Sequence, residues 1–240
     1  YPPSLYGNGR INPTQNLVDA FPMKNGYPIT NPASGFNPES PYANRDPRLA
    51  TFILFNGAKL KNVTIDTSVN SPASDGLNKV PEYSTRTGYY LLKWLRVNVN
   101  MTPGTTTTAR HFYTHVRYTE LYLNYAEAAN EAWGPDGDPN GYGFTARTII
   151  RAVRKRAGIT QPDPYVTSLT TREAMRELIR NERRLELCFE GTRFWDLRRW
   201  HSDLTEPARG VSINGNAYTP VDVEGRTYPS HAIYGPIPNQ

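Results

Sequence analysis

TREAMRELIRNERRLELCFEGTRFWDLRRW, residues 171–200, reads as a charged amphipathic helix, a glycine, and an arginine-rich aromatic helix. Thr170 is placed to cap the first helix and Glu173 to reach back to the cap's backbone N–H, with Leu169 and Ala174 where a hydrophobic staple would sit. At 100° per residue Met175, Leu178, Ile179, Leu185 and Phe189 share one face, which predicts packing on a core. Glu182 and Glu186 lie on that same face. A carboxylate held among apolar side chains is costly unless a cation pairs with it. Gly191 fits the C′ position where the chain turns left-handed, and beyond it Arg193, Arg198 and Arg199 are placed to fold back onto the two glutamates. On this reading Glu182, Arg183, Glu186, Gly191, Arg193, Asp196 and Trp200 form a structural brace. Arg172, Arg176, Arg180 and Arg184 run beside Glu173 and Glu177 on the outer face, as on a solvated helix.

Two carboxylates one helical turn apart also invite comparison with a retaining glycosidase, which holds its acid and nucleophile about 5 Å apart. Neighbouring carboxylates on one helix point the same way, however, and do not flank a bond from two sides. Arginines beside them would keep both ionised. The brace is the better reading. No G-x-S-x-G, GxGxxG or Walker pattern appears elsewhere, so the expectation is a protein that is not an enzyme.

With 38% hydrophobic and 20% charged residues, 240 residues suffice for a sizeable core in one or two domains, while 21 prolines and 18 glycines predict long shaped loops. No stretch is apolar enough to span a bilayer. The chain opens on Tyr1 with no basic or apolar leader region, whether a leader was absent or removed. The single cysteine, Cys188, cannot form an internal disulfide. A net charge of +5 permits a polyanion partner, but the arginines sit beside acids on helices, and nucleic acid is not the expected partner.

Three regions follow: 1–112, loop-rich with short strands; 113–201, helical; 202–240, an irregular proline-rich tail. In the first, Tyr6, Tyr27, Phe36 and Tyr42 stand in a polar, proline-stiffened stretch with Tyr1 and Phe21. Such rings either pin a loop to the body or stack on a ligand, as flat apolar faces do on sugars. TFILFNG (51–57) and KLKNVTID (59–66) suggest a hairpin about Asn56-Gly57, and GYYLLKWLRVNV (88–99) a further strand. From Tyr113 to Trp133 the period becomes helical, with Tyr118, Leu121, Tyr122, Tyr125, Ala128, Ala129 and Ala132 on a broad face. In FTARTIIRAVRKRAG (144–158) Thr145 caps, Ala146, Ile149, Ile150, Val153 and Ala157 form the stripe, and Gly158 stops the helix. These two helices form an antiparallel hairpin of the tetratricopeptide kind, which cannot bury its own face without neighbours.

The loop between them spaces Asp136, Asp138, Asn140 and Gly141 as in the first half of a calcium loop. Arg147 stands where a full EF-hand needs a bidentate glutamate, which excludes that motif. A partial calcium site through Asp136, Asp138 and Asn140 stays open beside a capped, glycine-rich turn. His111 and His115 are four apart but lack the glutamate and third ligand of a zinc site.

Taken together, NRDPRL (44–49), TGYY (87–90), RYTELYLNYAEAANEA (117–132), RAG (156–158), NERRLELCFEGTRFWDLRRW (181–200) and the closing PIP (236–238) resemble the SusD/RagB outer-membrane lipoproteins of Bacteroidetes, in their C-terminal region. The resemblance implies a mainly α fold with long irregular loops and a few short strands, the C-terminal half of a SusD-like fold containing a tetratricopeptide-like helical hairpin. The hairpin's missing neighbours would then lie in the N-terminal half of the same protein, together with the lipid-anchored cysteine, which Cys188 is not. It further implies a cell-surface protein of the outer membrane, without cofactor or catalysis, that captures oligosaccharide and passes it to a SusC-like TonB-dependent transporter. Tyr6, Tyr27, Phe36 and Tyr42 are the ring candidates for that ligand. Peptide capture, as in some members, or a helical scaffold for protein partners are the competing readings.

Overall fold

The computed structural model describes residues 1–233, so the PIP motif at 236–238 lies outside the described residues. In chain order the elements are α1 (Gln15–Ala20), α2 (Pro47–Phe52), β1 (Ile53–Leu54), β2 (Lys59–Leu60), β3 (Val63–Thr64), β4 (Tyr90–Leu91), α3 (Tyr118–Trp133), α4 (Ala146–Ala157), α5 (Pro164–Ser168), α6 (Arg172–Glu186), α7 (Thr192–Arg199), β5 (Ala208–Asn214) and β6 (Ala217–Glu224). They fall into two units: a helical one, Asp19–Thr51 with Arg110–Cys188, and a strand-bearing one, Tyr1–Val18, Phe52–Ala109 and Phe189 onward. The fold is mainly helical with a few short strands, as the sequence predicts.

In the helical unit α3, α4 and α6 pack against one another around Leu123, Ala126, Ala129, Ile149, Ile150, Met175, Leu178 and Ile179, and Val166 of α5 joins them. The start of α4 is fixed by a capping box, in which Thr145 accepts from the Thr148 backbone and Thr148 Oγ1 accepts from the Thr145 backbone. Gly158 ends α4 at φ 92°, and a Cβ there would stand 3.0 Å from Pro47 Cγ. Only glycine fits that turn without strain.

α6 is capped by Thr171, which accepts from Ala174 N at 3.2 Å, and not by Thr170. It stops at Glu186, a turn earlier than its apolar stripe predicts. Phe189 (φ 65°) and Gly191 (φ 83°) then both turn left-handed, and Gly191 becomes the N-cap of α7. A second departure concerns α3, which starts at Tyr118 after an extended Arg117 and not at Tyr113. It buries Leu123, Ala126, Ala129 and Asn130, leaving Tyr118, Leu121 and Tyr122 outside. α3 carries two apolar stripes, and the one with the smaller side chains lets α4 and α6 approach closest.

The strand-bearing unit pairs more distantly than its local signals suggest. β1 is antiparallel to β4, Ile53 opposite Leu91 and Leu54 opposite Tyr90. The hairpin about Asn56-Gly57 is therefore not formed. β2 and β3 make their own tight hairpin, Leu60 opposite Val63, with Lys61 left-handed in the turn (φ 56°). Leu54, Leu60, Ile65 and Tyr90 form a core cluster in this unit. Of the strand expected over 88–99, Tyr90–Leu91 is paired.

The tail corrects the expectation of an irregular 202–240. β5 and β6 run antiparallel from Ala208 opposite Glu224 to Asn214 opposite Ala217, closed by Gly215 and Asn216. Val211 and Ile213 face inward, and Pro220 sits on β6, on a hairpin edge where a missing N–H is tolerated. The prolines mask a local signal that was present: Gly215-Asn216 is itself a two-residue hairpin dipeptide.

Candidate functional site

The NRDPRL motif builds the floor of the candidate loop residue by residue. A bridge between Met23 and Arg45 closes the loop that carries Tyr27, Phe36 and Tyr42. Arg45 donates to the carbonyls of Pro41 (2.7 Å) and Phe21 (2.7 Å), and its guanidinium stands 5.5 Å from the Phe36 ring centroid. Asp46 caps α2 by accepting from Arg48 N at 2.9 Å, with Pro47 in the first helical position, where its missing N–H costs nothing. Arg48 then points inward. Its guanidinium meets Asp46 Oδ2 at 2.6 Å, Glu182 Oε1 at 2.5 Å and Glu186 Oε2 at 3.1 Å.

A second buried arginine answers it from α4. Arg154 donates from Nε to Asp163 Oδ2 at 2.6 Å, from Nη1 to Glu182 Oε2 at 3.4 Å and from Nη2 to the Gly26 carbonyl at 2.7 Å. Gly26 is left-handed (φ 95°), and a Cβ there would fall 2.6 Å from Asp163 Oδ1 and 2.8 Å from Arg154 Nη2. One arginine therefore anchors both the residue before Tyr27 and the cap of α5, which carries Tyr165. The two rings meet at 5.5 Å between centroids, tilted 57°.

Glu186 draws Arg48, Arg117 (2.9 Å) and Arg156. Burial pushes its carboxyl up, but the hydrogen bond from Arg156, the charges of Arg48 and Arg156 and the bond from Arg117 outweigh it, and the group is held down at about 2. Burial works against the Arg48 cation, yet Glu182 and Asp46 raise it well above the ordinary guanidinium value. Arg183 bonds Asn124 Oδ1 at 2.5 Å and faces Glu120 at 3.4 Å, while on the outer face Arg176 forks onto Glu131 of α3.

Both glutamates meet arginines at ion-pair distance. Arg48 comes from α2, Arg154 and Arg156 from α4, and Arg117 from the residue before α3. On α7, Arg198 is engaged with the Phe194 carbonyl and the rings of Phe194 and Tyr228, and Arg199 pairs with Asp196 at 2.9 Å and lies over Trp200. Arg193 lies half-buried on α7. The brace thus divides: Glu182, Arg183 and Glu186 belong to the helical unit, and Gly191, Arg193, Asp196 and Trp200 to the other. Sequence reasoning missed Arg48, Arg117, Arg154 and Asp163. Arg154 carried a legible signal, a cation on the stripe four residues after Ile150, the same anomaly that singles out Glu182.

The four ring candidates are not placed alike. Tyr27, Phe36 and Tyr42 are half-buried in the helical unit, the first two against Tyr165 and Arg45. Tyr6 belongs to the strand-bearing unit, where it ends a short 3-10 turn in left-handed conformation (φ 61°) and is 57% exposed. In the same unit Tyr1, Asn8, Arg10, Ile11, Tyr90 and Leu95 line an open pocket of about 250 Å³, with Lys61 Nζ 5.0 Å from the Tyr1 ring. An apolar ring edge beside amide and guanidinium donors suits a polyhydroxylated ligand.

In the calcium-like loop Asp136 is held by Arg147 (2.7 and 2.8 Å), and Asp138 accepts from Tyr142 N at 3.0 Å and Gly143 N at 2.7 Å. Asn140 is exposed at the turn. Both carboxylates are thus engaged in shaping the turn.

The chain as a whole has counterparts among known proteins. The sequence model of the SusD family matches residues 1–239. The chain belongs to the SusD family. Among solved structures it is similar to a SusD-like protein from Bacteroides fragilis, at 31% identity and TM-score 0.69 over 93% of this chain and 43% of that one. A SusD-like carbohydrate binding protein from the same species matches at 26% identity and TM-score 0.70, over 93% of this chain and 45% of that one. A SusD superfamily protein from Bacteroides vulgatus, 22% identical, shares the fold at TM-score 0.50 over 79% of this chain. No curated protein matches. This SusD-family chain therefore spans less than half the length of the first two solved relatives.

Proposed function

We propose that this SusD-family chain is part of a cell-surface lipoprotein of the outer membrane that captures oligosaccharide and delivers it to a SusC-like TonB-dependent transporter. The observation that carries the reading is the family itself, together with the likeness over 93% of the chain to a SusD-like carbohydrate binding protein. The two carboxylates that resemble a glycosidase pair are both buried and held by arginines, which supports binding without turnover. Tyr6 is the foremost stacking candidate because its ring is exposed. Tyr27, Phe36 and Tyr42, in the helical unit, are the other ring candidates, each to be tested by itself.

Calorimetric titration of the full-length protein against a panel of oligosaccharides tests the proposal. Stacking on an exposed ring contributes about 0.5–1.5 kcal/mol beyond area burial, so Tyr6→Ala is expected to weaken binding about two- to tenfold. Unchanged affinity in Tyr6→Ala, Tyr27→Ala, Phe36→Ala and Tyr42→Ala would remove the aromatic assignment. Hydrolysis of the bound glycan would remove the non-enzymatic one. Co-purification of a barrel transporter with the tagged protein tests the partner.

A further inference from the structure

One wall of the open pocket in the strand-bearing unit is a loop whose shape is fixed without the use of two of its polar side chains. Gly9 is left-handed (φ 52°), and a Cβ there would fall 2.1 Å from the Tyr83 carbonyl oxygen and 2.8 Å from the Tyr90 ring, so the loop passes too close to the body for a side chain at that position. The Gly9 N–H donates to the Tyr1 carbonyl at 3.0 Å, and its own carbonyl accepts from Asn12 Nδ2 at 2.6 Å. Asn12 Oδ1 accepts in turn from Arg86 N at 3.0 Å, and the Ile11 carbonyl accepts from Leu91 N at 3.3 Å. Asn8 and Arg10, on either side of Gly9, are therefore carried on a pinned backbone.

Other polar groups in and beside the pocket are engaged. The Tyr1 hydroxyl is directed at the carbonyls of Arg96 and Val99, Lys61 Nζ donates to the Val99 carbonyl, and the Tyr90 hydroxyl donates to the Asp75 carbonyl at 3.0 Å. The side chains of Asn8 and Arg10 differ: both are exposed, and neither makes a hydrogen bond, ion pair or ring contact among the described residues. No Asp or Glu is among the described residues that line the pocket. An exposed arginine is ordinary by itself. This one stands with a free amide at a concave surface walled by Tyr1, Ile11 and Leu95, and Lys61 Nζ lies 5.0 Å from the Tyr1 ring.

That inventory selects a chemistry. A hydroxyl of a neutral sugar both donates and accepts, whereas the pocket presents a guanidinium that can only donate, together with one amide. A carboxylate can only accept, and its two oxygens match the guanidinium fork with two parallel bonds. A volume of about 250 Å³ lies below the about 300–1,000 Å³ of pockets for drug-sized ligands, and so suits one ring. We propose that this pocket is a subsite for an acidic sugar, a uronic acid residue of the captured oligosaccharide, with Arg10 clamping its carboxylate, Asn8 bonding a ring hydroxyl and the apolar wall facing the ring. The proposal rests on the oligosaccharide reading and narrows it to a carboxylate-bearing glycan.

Calorimetric titration of the full-length protein with oligosaccharides of galacturonic and of glucuronic acid, each beside its carboxyl-reduced counterpart, tests it. The unmodified protein is compared with Arg10→Gln and with Arg226→Gln, which removes the same charge from an exposed position elsewhere. One acidic form is expected to bind on the order of tenfold more tightly than its neutral counterpart, a preference that Arg10→Gln abolishes and Arg226→Gln keeps. Arg10→Gln is expected to leave the melting temperature unchanged, since the side chain holds nothing in the fold. Equal affinity of the unmodified protein for acidic and neutral forms would overturn the proposal and leave the oligosaccharide reading standing. A preference that survives Arg10→Gln would overturn it too, as would one lost equally in Arg226→Gln, which would mark a general attraction to a cationic chain. Binding of no form of either series would also overturn it, while the wider oligosaccharide panel decides the underlying reading separately.

Discussion

Glu182 has no exposed side-chain surface, and it survives there because each of its oxygens meets a different arginine. Those arginines are in turn held by Asp46 and Asp163, and Glu186 adds Arg117 and Arg156. Four carboxylates thus face four guanidiniums. Removing one partner of a buried pair strands the others, and we expect Glu186→Ala to cost about 3–5 kcal/mol in urea or thermal unfolding. A folded variant of unchanged stability that had lost ligand binding would instead make Glu186 part of the site. The pH dependence has a definite sign. The Glu186 carboxyl is depressed from 4.5 to about 2 in the folded state. Its stabilisation is therefore complete above the unfolded value and is lost as pH falls from about 4.5 towards 2, on the order of 3 kcal/mol in all. Glu186→Gln should flatten that acid limb.

Among the elements, α6 makes the sharpest distinction between two readings one residue apart. Thr171 accepts the N-cap bond and Thr170 does not, so Thr171→Ala should destabilise by about 1 kcal/mol and Thr170→Ala by much less. Equal effects in denaturant midpoints would mean the cap is shared. The loop from Asp136 to Gly143 spends its two carboxylates on Arg147 and on two backbone N–H groups. We expect neither calcium nor chelator to move the melting temperature. A rise on adding calcium would show that ion binding can displace those bonds. α4 came out as its sequence predicts, since a cap, a stripe and a terminal glycine all act within a turn of themselves. α3 was ambiguous for an equally physical reason: with apolar residues on two sides, its own period does not say which side finds neighbours.

At the scale of the whole molecule the charge of +5 is spread over helices whose arginines are largely answered by acids, so the basic balance does not by itself describe a partner. A ligand of the folded protein should also stabilise it. An oligosaccharide present at 100 times its dissociation constant should add about 2.7 kcal/mol to unfolding, so a thermal-shift screen of the full-length protein sorts glycan classes before any calorimetry. A panel of soluble glycans that produces no shift at such concentrations would argue for peptide capture or for a scaffold.

The motif order, the helices of the central region and the need of Glu182 and Glu186 for cations are all present in the sequence, because periodicity, caps and a charge on an apolar stripe are local properties. Which cations they are is not local. Arg48 reaches Glu182 across 134 residues and Glu186 across 138, and nothing near either end of that interval names the other. The pairing of β1 with β4, the stripe that α3 buries and the exposure of Tyr6 against the half-burial of Tyr27, Phe36 and Tyr42 were settled in the same way. The sequence by itself determined that two buried carboxylates would have to be neutralised. The tertiary structure decided by whom, because a buried charge accepts whichever opposite charge the packing brings within about 3 Å.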